Sequence, residues 1–175
     1  MRISLSSTFV DRDAYGLVTI ILDAVSSGEL PGVEIAAVIS TRGEGDNAQT
    51  DEMLARFQRE YPFVPLIAYS AKRHGRLVKD PSDEVKDTYD RAIFEQLGAG
   101  VQLNVMVGDM IIKGPFWCHE IPGLNLHPDL PLSLGGTEGI YWDVIGEWVR
   151  RERQEIGGMM HLAIPTLDAG MPVAY

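Results

Sequence analysis

The stretch Val101-Gln102-Leu103-Asn104-Val105-Met106-Val107-Gly108 is an apolar run of strand length closed by a glycine, and it reads as a buried strand. Its meaning depends on what precedes it. Ser82 stands as an N-cap before a helical pattern that carries Val85, Tyr89, Ala92, Ile93 and Leu97 inward and stops at Gly98. Before that helix, Leu66 to Tyr69 reads as a short strand, entered through Pro62 and Pro65. A helix over Thr50 to Tyr61 comes earlier, with Met53, Leu54, Phe57 and Tyr61 on its inner side, preceded by the β-branched strand Val33 to Ile39. At the start, Arg2 to Ser6 alternates apolar and polar residues as a first strand. A helix follows, capped by Asp11 or Asp13, with Leu17, Ile20, Ile21, Ala24 and Val25 as its apolar face and Gly28 as its stop. Strands alternating with helices in this way predict an α/β fold with a mostly parallel, twisted sheet and helices on both faces.

Downstream, Gly123-Leu124-Asn125-Leu126-His127-Pro128-Asp129 predicts a short strand that ends in an amide, an imidazole and a carboxylate. Open α/β sheets hold their ligands at strand ends, so this is a candidate site. A turn hydrogen-bonded by Asn125 and His127 and stiffened by Pro128 is the plainer alternative. Leu134 to Gly139 reads as a glycine-rich loop into a helix over Ile140 to Glu155, with Val144, Ile145, Trp148 and Val149 inward and a charged outer end. Two last strands, Gly158 to Ile164 and Pro172 to Tyr175, flank a loop that carries Asp168, and the first of them carries His161.

Composition narrows the function classes. Of the residues, 45% are hydrophobic and 23% charged, which is ordinary for a soluble domain, and 175 residues make one domain over 1–175 the default. A net charge of −10 argues against a broad nucleic-acid surface. No apolar run is long enough to span a bilayer, and Met1 to Ser7 lack the apolar core of a secretory signal. These features predict a cytoplasmic protein with no membrane and no nucleic-acid partner; homo-oligomerisation stays open. Cys118 is the single cysteine, so no internal disulfide forms. Cys118-His119-Glu120 lacks a second ligand pair at recognised spacing, and no metal is expected. The glycines of Thr41 to Asn47 fall short of a nucleotide fingerprint. Lys72, Arg73, His74, Arg76 and Lys79 form a basic cluster that is either a solvated loop or a landing site for an anion.

Asn125-x-His127-Pro128 followed by His161-x6-Asp168-Ala169-Gly170 resembles the folate-dependent formyltransferase family, and within it the transformylases that act on glycinamide ribonucleotide. The similarity extends from Val101 to Tyr175 and includes Gly108-x-Met110, Pro115, Gly123-Leu124-Asn125-Leu126-His127-Pro128 and Gly136. It implies a Rossmann-like formyltransferase fold and formyl transfer from 10-formyltetrahydrofolate, as cosubstrate, to a small amine in purine biosynthesis. It further implies a catalytic set of Asn125, His127 and Asp168 with His161 beside them. Met110, Ile111 and Ile112, with Thr166, Leu167 and Ala169, would hold the folate; Ser7, Thr8, Arg12 and Gly136 would meet the acceptor. Family members acting on glycinamide ribonucleotide carry a glycine-rich phosphate loop after the first strand, where this chain has Ser6-Ser7-Thr8-Phe9-Val10-Asp11-Arg12-Asp13. They also continue past the Asp168 segment, so either the protein is short or a C-terminal extension lies outside this sequence. Three alternatives stay open on these grounds: an amino sugar on a nucleotide as acceptor, hydrolysis of the formyl donor, and a catalytically silent relative that binds folate or a protein partner.

Overall fold

The computed structural model describes residues 1–78, 80–128, 146, 149–150 and 157–175. Its elements are β1 (Arg2–Ser7), α1 (Arg12–Ser26), β2 (Glu34–Ser40), α2 (Ala48–Glu60), β3 (Leu66–Ala68), α3 (Asp83–Leu97), β4 (Leu103–Met106), α4 (Pro115–Glu120), β5 (Gly123–His127), β6 (Met159–Leu162) and β7 (Pro172–Ala174). The strands form one sheet in the order β3-β2-β1-β4-β5-β6-β7. Pairings among the first five are parallel, and β6 and β7 add on antiparallel. The order reverses between β1 and β4, the topological switch point where open α/β sheets form a crevice beyond their carboxyl ends. Among the described residues, no helix is long and apolar enough to cross a membrane.

Alternation along the strands sorts the core into two layers. Val38 packs with Val18 and Leu22 of α1 and Phe57 of α2. Its neighbours Ala37 and Ile39 pack with Tyr89 and Ile93 of α3 and Trp117 of α4 on the opposite face. Helices therefore cover both faces, as expected. A central parallel strand covered on both sides keeps no residue for water, and β1 accordingly buries its serines as well as Ile3 and Leu5. The partner strand satisfies two of them: Asn104 Nδ2 donates to Ser4 Oγ and Ser6 Oγ, both at 2.9 Å.

Helix starts follow the capping residues. Asp11, rather than Asp13, caps α1 by accepting from Ala14 N at 2.8 Å; Asn47 caps α2, and Ser82 caps α3. The expected apolar face of α1 is rotated. Ala14, Tyr15, Val18 and Leu22 are buried and Leu17 and Ile21 half-buried, whereas Ile20 is 67% exposed. Tyr15, Val18 and Leu22, at i, i+3 and i+7, define the inner stripe, and Ile20 lies outside it. Of the helix expected over 140–155, the described positions 146, 149 and 150 are helical, and Val149 is exposed rather than inward. The remainder of that helix, the glycine-rich loop, Asp129 and Lys79 lie outside the described residues.

Candidate active site

Two residues apart on β5, Asn125 and His127 project to the same side of the sheet. On antiparallel β6, His161 pairs directly with Asn125, and Met159 pairs with His127. Cross-strand partners share a face, so Asn125, His127 and His161 gather on one side near the end of β5. Asp168 reaches them from the β6–β7 loop: its Oδ1 lies 3.4 Å from His161 Nε2, and its Oδ2 lies 3.5 Å from His127 Nδ1. The carboxylate thus sits between two imidazoles whose ring centres are 6.2 Å apart.

His161 Nδ1 lies 3.0 Å from the Leu162 carbonyl oxygen, which makes Nδ1 the donor there. In the neutral ring, Nε2 is then an acceptor, and Asn125 Nδ2 donates to it at 3.1 Å. Hydrogen bonding to Asp168 raises the His161 pKa above its ordinary value against the opposing effect of burial. The same bond, assisted by the charge of His127, holds the Asp168 carboxyl below the usual carboxylate range. Both shifts favour an imidazolium–carboxylate pair. On His127, Nδ1 faces the carboxylate, and Nε2 is on the far side of the ring.

Local backbone chemistry delivers Asp168. Its φ of 44° lies in the left-handed region, which aspartate tolerates better than most residues. Gly170 presses against β6 so closely that a Cβ would stand 1.6 Å from the Leu162 carbonyl oxygen and 3.2 Å from His161 Nδ1. The backbone bond from Leu162 N to Met171 O, 3.0 Å long, closes the loop.

The remaining expected site residues divide into accessible and inaccessible groups. Met110 is 62% exposed, Ile111 is buried and Ile112 is half-buried in the segment after β4; Thr166 and Ala169 are exposed, and Leu167 is half-buried. Ser7 and Thr8 are buried and bonded inward. Ser7 Oγ donates to Ala14 O at 3.4 Å, and Thr8 Oγ1 donates to Gly108 O at 2.9 Å. Phe9, at a φ of 49°, turns fully into the core against the edges of Tyr15 and Phe57 and draws the loop shut. Arg12 is exposed beside a cavity of about 340 Å³ that it lines with Asp11, Asp13, Gln49, Glu52 and Met53. Gly136 lies outside the described residues.

Internal contacts also disperse the basic cluster. Arg73 pairs with Asp46 and with the Glu44 carbonyl, His74 stacks on Tyr69 at 3.9 Å, and Arg76 is buried on the Ile112 carbonyl. Lys72 is exposed, and Lys79 lies outside the described residues. No group of three or more His, Cys, Asp or Glu side chains among the described residues is placed to hold a metal ion. Sequence reasoning missed the buried ion pair Asp109–Lys113, with both side chains fully buried, and the buried carboxylate of Asp90. Their only signal was a pair of opposite charges four residues apart within an otherwise apolar loop.

No family model and no curated relative matches the chain. Solved structures do. Glycinamide ribonucleotide transformylase 1 from Symbiobacterium toebii matches with a TM-score of 0.69 and 22% identity over 100% of this chain and 74% of that one. Phosphoribosylglycinamide formyltransferase from Coxiella burnetii matches with a TM-score of 0.68 and 21% identity, over 98% of this chain and 69% of that one. A formyltetrahydrofolate deformylase from Pseudomonas syringae pv. tomato matches with a TM-score of 0.68 and 20% identity, over 98% of this chain and 49% of that one. The chain has the Rossmann-like fold of these formyl-processing proteins.

Proposed function

We propose that the protein transfers a formyl group from 10-formyltetrahydrofolate to a small amine. One observation carries the reading: Asn125, His127 and Asp168 converge near the carboxyl end of β5, in a fold that the named transformylases and the deformylase share. The amine nitrogen attacks the formyl carbon and creates a tetrahedral species with negative charge on oxygen. The Asn125 amide and a protonated His127 donate to that oxygen, each such donor being worth about 2.7–4 kcal/mol in a preorganised site. Asp168 stabilises the charged His127 and assists, through water, the proton transfer from the attacking nitrogen to N10. The carbon–N10 bond then breaks, and tetrahydrofolate leaves. The Met110–Ile112 segment and the Thr166–Ala169 loop provide surfaces for the donor's ring system.

The geometry at β1 constrains the acceptor. Phosphate binding at a helix start uses free N–H groups, and here the Ala14 N–H is already capped by Asp11 while Ser7 and Thr8 bond inward. The proposed acceptor is an amine whose recognition does not depend on a phosphate at this point. Hydrolysis of the donor is the second reading, favoured by the same closed loop and by the deformylase among the fold neighbours. Incubation with 10-formyltetrahydrofolate, with and without an amine panel that includes glycinamide ribonucleotide and amino-sugar nucleotides, separates the two. Formylated amine supports transfer; free formate with tetrahydrofolate supports hydrolysis. Equal turnover by the wild type and Asp168→Asn would remove the catalytic assignment.

A further inference from the structure

Beneath the loop after β4, four charged side chains are buried outside the site described above: Arg76, Asp90, Asp109 and Lys113. They come from the β3–α3 loop, α3 and the 109–113 loop itself. Lys113 Nζ donates to Asp109 Oδ2 at 3.0 Å and lies 5.0 Å from the centre of the Trp117 ring. The other oxygen of Asp109 accepts from Ile111 N at 3.1 Å. Arg76 Nη2 donates to the Ile112 carbonyl, and Asp90 Oδ2 accepts from Gly114 N at 2.6 Å. The cluster therefore takes up one backbone group at each of Ile111, Ile112 and Gly114, while Met110 projects outward.

A simple fold requirement does not account for this arrangement. Burying charge is costly, and apolar residues of similar volume commonly replace a buried ion pair without loss of stability. Here burial, helped by the Asp109 charge, pushes the Asp90 carboxyl up, and burial pushes the Arg76 guanidinium down. Asp90 Oδ1 and Arg76 Nε also lack a hydrogen-bond partner among the described residues. Three of the four groups hold the backbone of a single loop, and Lys113 holds the Asp109 carboxylate in place. Gly114 reinforces the clamp, because a Cβ there would stand 2.3 Å from Asp87 Oδ1 and press the loop end off α3.

We infer that Arg76, Asp90, Asp109 and Lys113 are positioning residues that hold the 110–112 loop, before any ligand arrives, in the shape that receives the ring system of the formyl donor. The inference rests on the proposed donor-binding role of that loop. Preorganisation lowers the cost of binding without adding a contact, so the effect belongs in donor affinity and KM, with the Asn125–His127–Asp168 geometry untouched.

Two double variants test it with tetrahydrofolate as the probe in calorimetry. Asp109→Asn/Lys113→Met removes both charges and keeps an acceptor for Ile111 N–H; Asp109→Leu/Lys113→Met removes that acceptor too. The expected result is a folded Leu/Met variant whose Kd and donor KM rise at least tenfold while kcat at saturating donor stays within about twofold, with the Asn/Met variant affected less. A merely structural role would lower the active fraction and leave Kd and KM at wild-type values, and that result in the folded Leu/Met variant overturns the inference. If neither variant folds, hydrogen exchange on the ligand-free wild type decides. Ile111 and Gly114 amides that exchange only through global unfolding support a preset loop, and exchange at open-loop rates overturns it. A wild type that fails to bind tetrahydrofolate defeats the donor reading itself, whereas wild-type binding matched by the Leu/Met variant defeats only the positioning role.

Discussion

The loop after β1 and the junction of β5 with β6 both present hydroxyl, amide or acid groups near the carboxyl edge of the sheet, and they use them in opposite ways. After β1, Ser7 and Asp11 both bond to the backbone of Ala14, a few residues away. At β5 and β6, Asp168 meets His127 and His161, which stand on two different strands. Bonds between near neighbours close a turn and cap a helix; they stabilise the scaffold and occupy the groups that make them. Groups brought together from separate elements are held by the whole sheet, and their charges perturb one another. The contrast predicts a crossing pattern: substitutions at the β5–β6 junction act mainly on turnover, and substitutions after β1 act mainly on stability.

The largest effect is expected from Asp168→Asn. Losing a positioned acid–base group costs about 10²–10⁴-fold in rate, read as formyl release from 10-formyltetrahydrofolate at saturating donor. Asn125→Ala and His127→Ala should each cost about 10²–10³-fold, the usual loss for one oxyanion donor. A wild-type rate in Asp168→Asn would break the comparison, because the junction would then be as structural as the β1 loop.

Next comes Gly170→Ala. A methyl group 1.6 Å from the Leu162 carbonyl oxygen cannot be accommodated without moving the loop, and such overpacking costs about 1–3 kcal/mol. Denaturant unfolding should register that loss. Because the displaced segment carries Asp168, turnover should fall along with stability, unlike in a β1-loop variant.

How far the sequence discloses these regions follows from the range of the interactions involved. The Gly123–His127 strand, the Ser82 cap and the Gly98 stop were legible because each depends on neighbours in the chain. The rotated face of α1 was not, since helical periodicity allows a stripe to be drawn one residue to either side and only packing against β1 and β2 selects Val18 over Ile20. The meeting of Asp168 with both histidines had no periodic signal at all; a resemblance supplied it, and strand pairing accounts for it. Burial of Asp109 and Lys113 was hidden for a related reason. Opposite charges four apart describe a solvated pair equally well, and the covering residues Asp90 and Arg76 come from α3 and the β3–α3 loop.

Titration of His161 offers a sharper view of the junction. Its pKa is raised, so its share of stability is complete below the unfolded value of about 6.5 and is lost as pH rises through the higher folded value. Asp168 is depressed, so its share is present above the unfolded value of about 3.9 and is lost as pH falls through the lower folded value. The pair should therefore stabilise the protein most between those limits. An NMR titration of the His161 ring should give a midpoint above 6.5 that falls in Asp168→Asn. A midpoint indifferent to that substitution would show that the two groups do not interact.

The smallest effect, and the one that separates the regions most cleanly, is expected from Asp11→Ala. Asp11 carries a charge and lines the cavity that also holds Arg12, Asp13 and Glu52, so its place alone would suit a substrate contact. Its carboxylate, however, already accepts from Ala14 N at 2.8 Å at the head of α1. Loss of such a cap costs about 1 kcal/mol, visible as a lower urea midpoint with an unchanged slope. Rate per folded molecule should stay at the wild-type value for any amine acceptor, because the Asp11 carboxylate is engaged by the helix cap. A selective rise in acceptor KM without loss of stability would reassign Asp11 from helix cap to acceptor contact, and the β1 loop would then join the site.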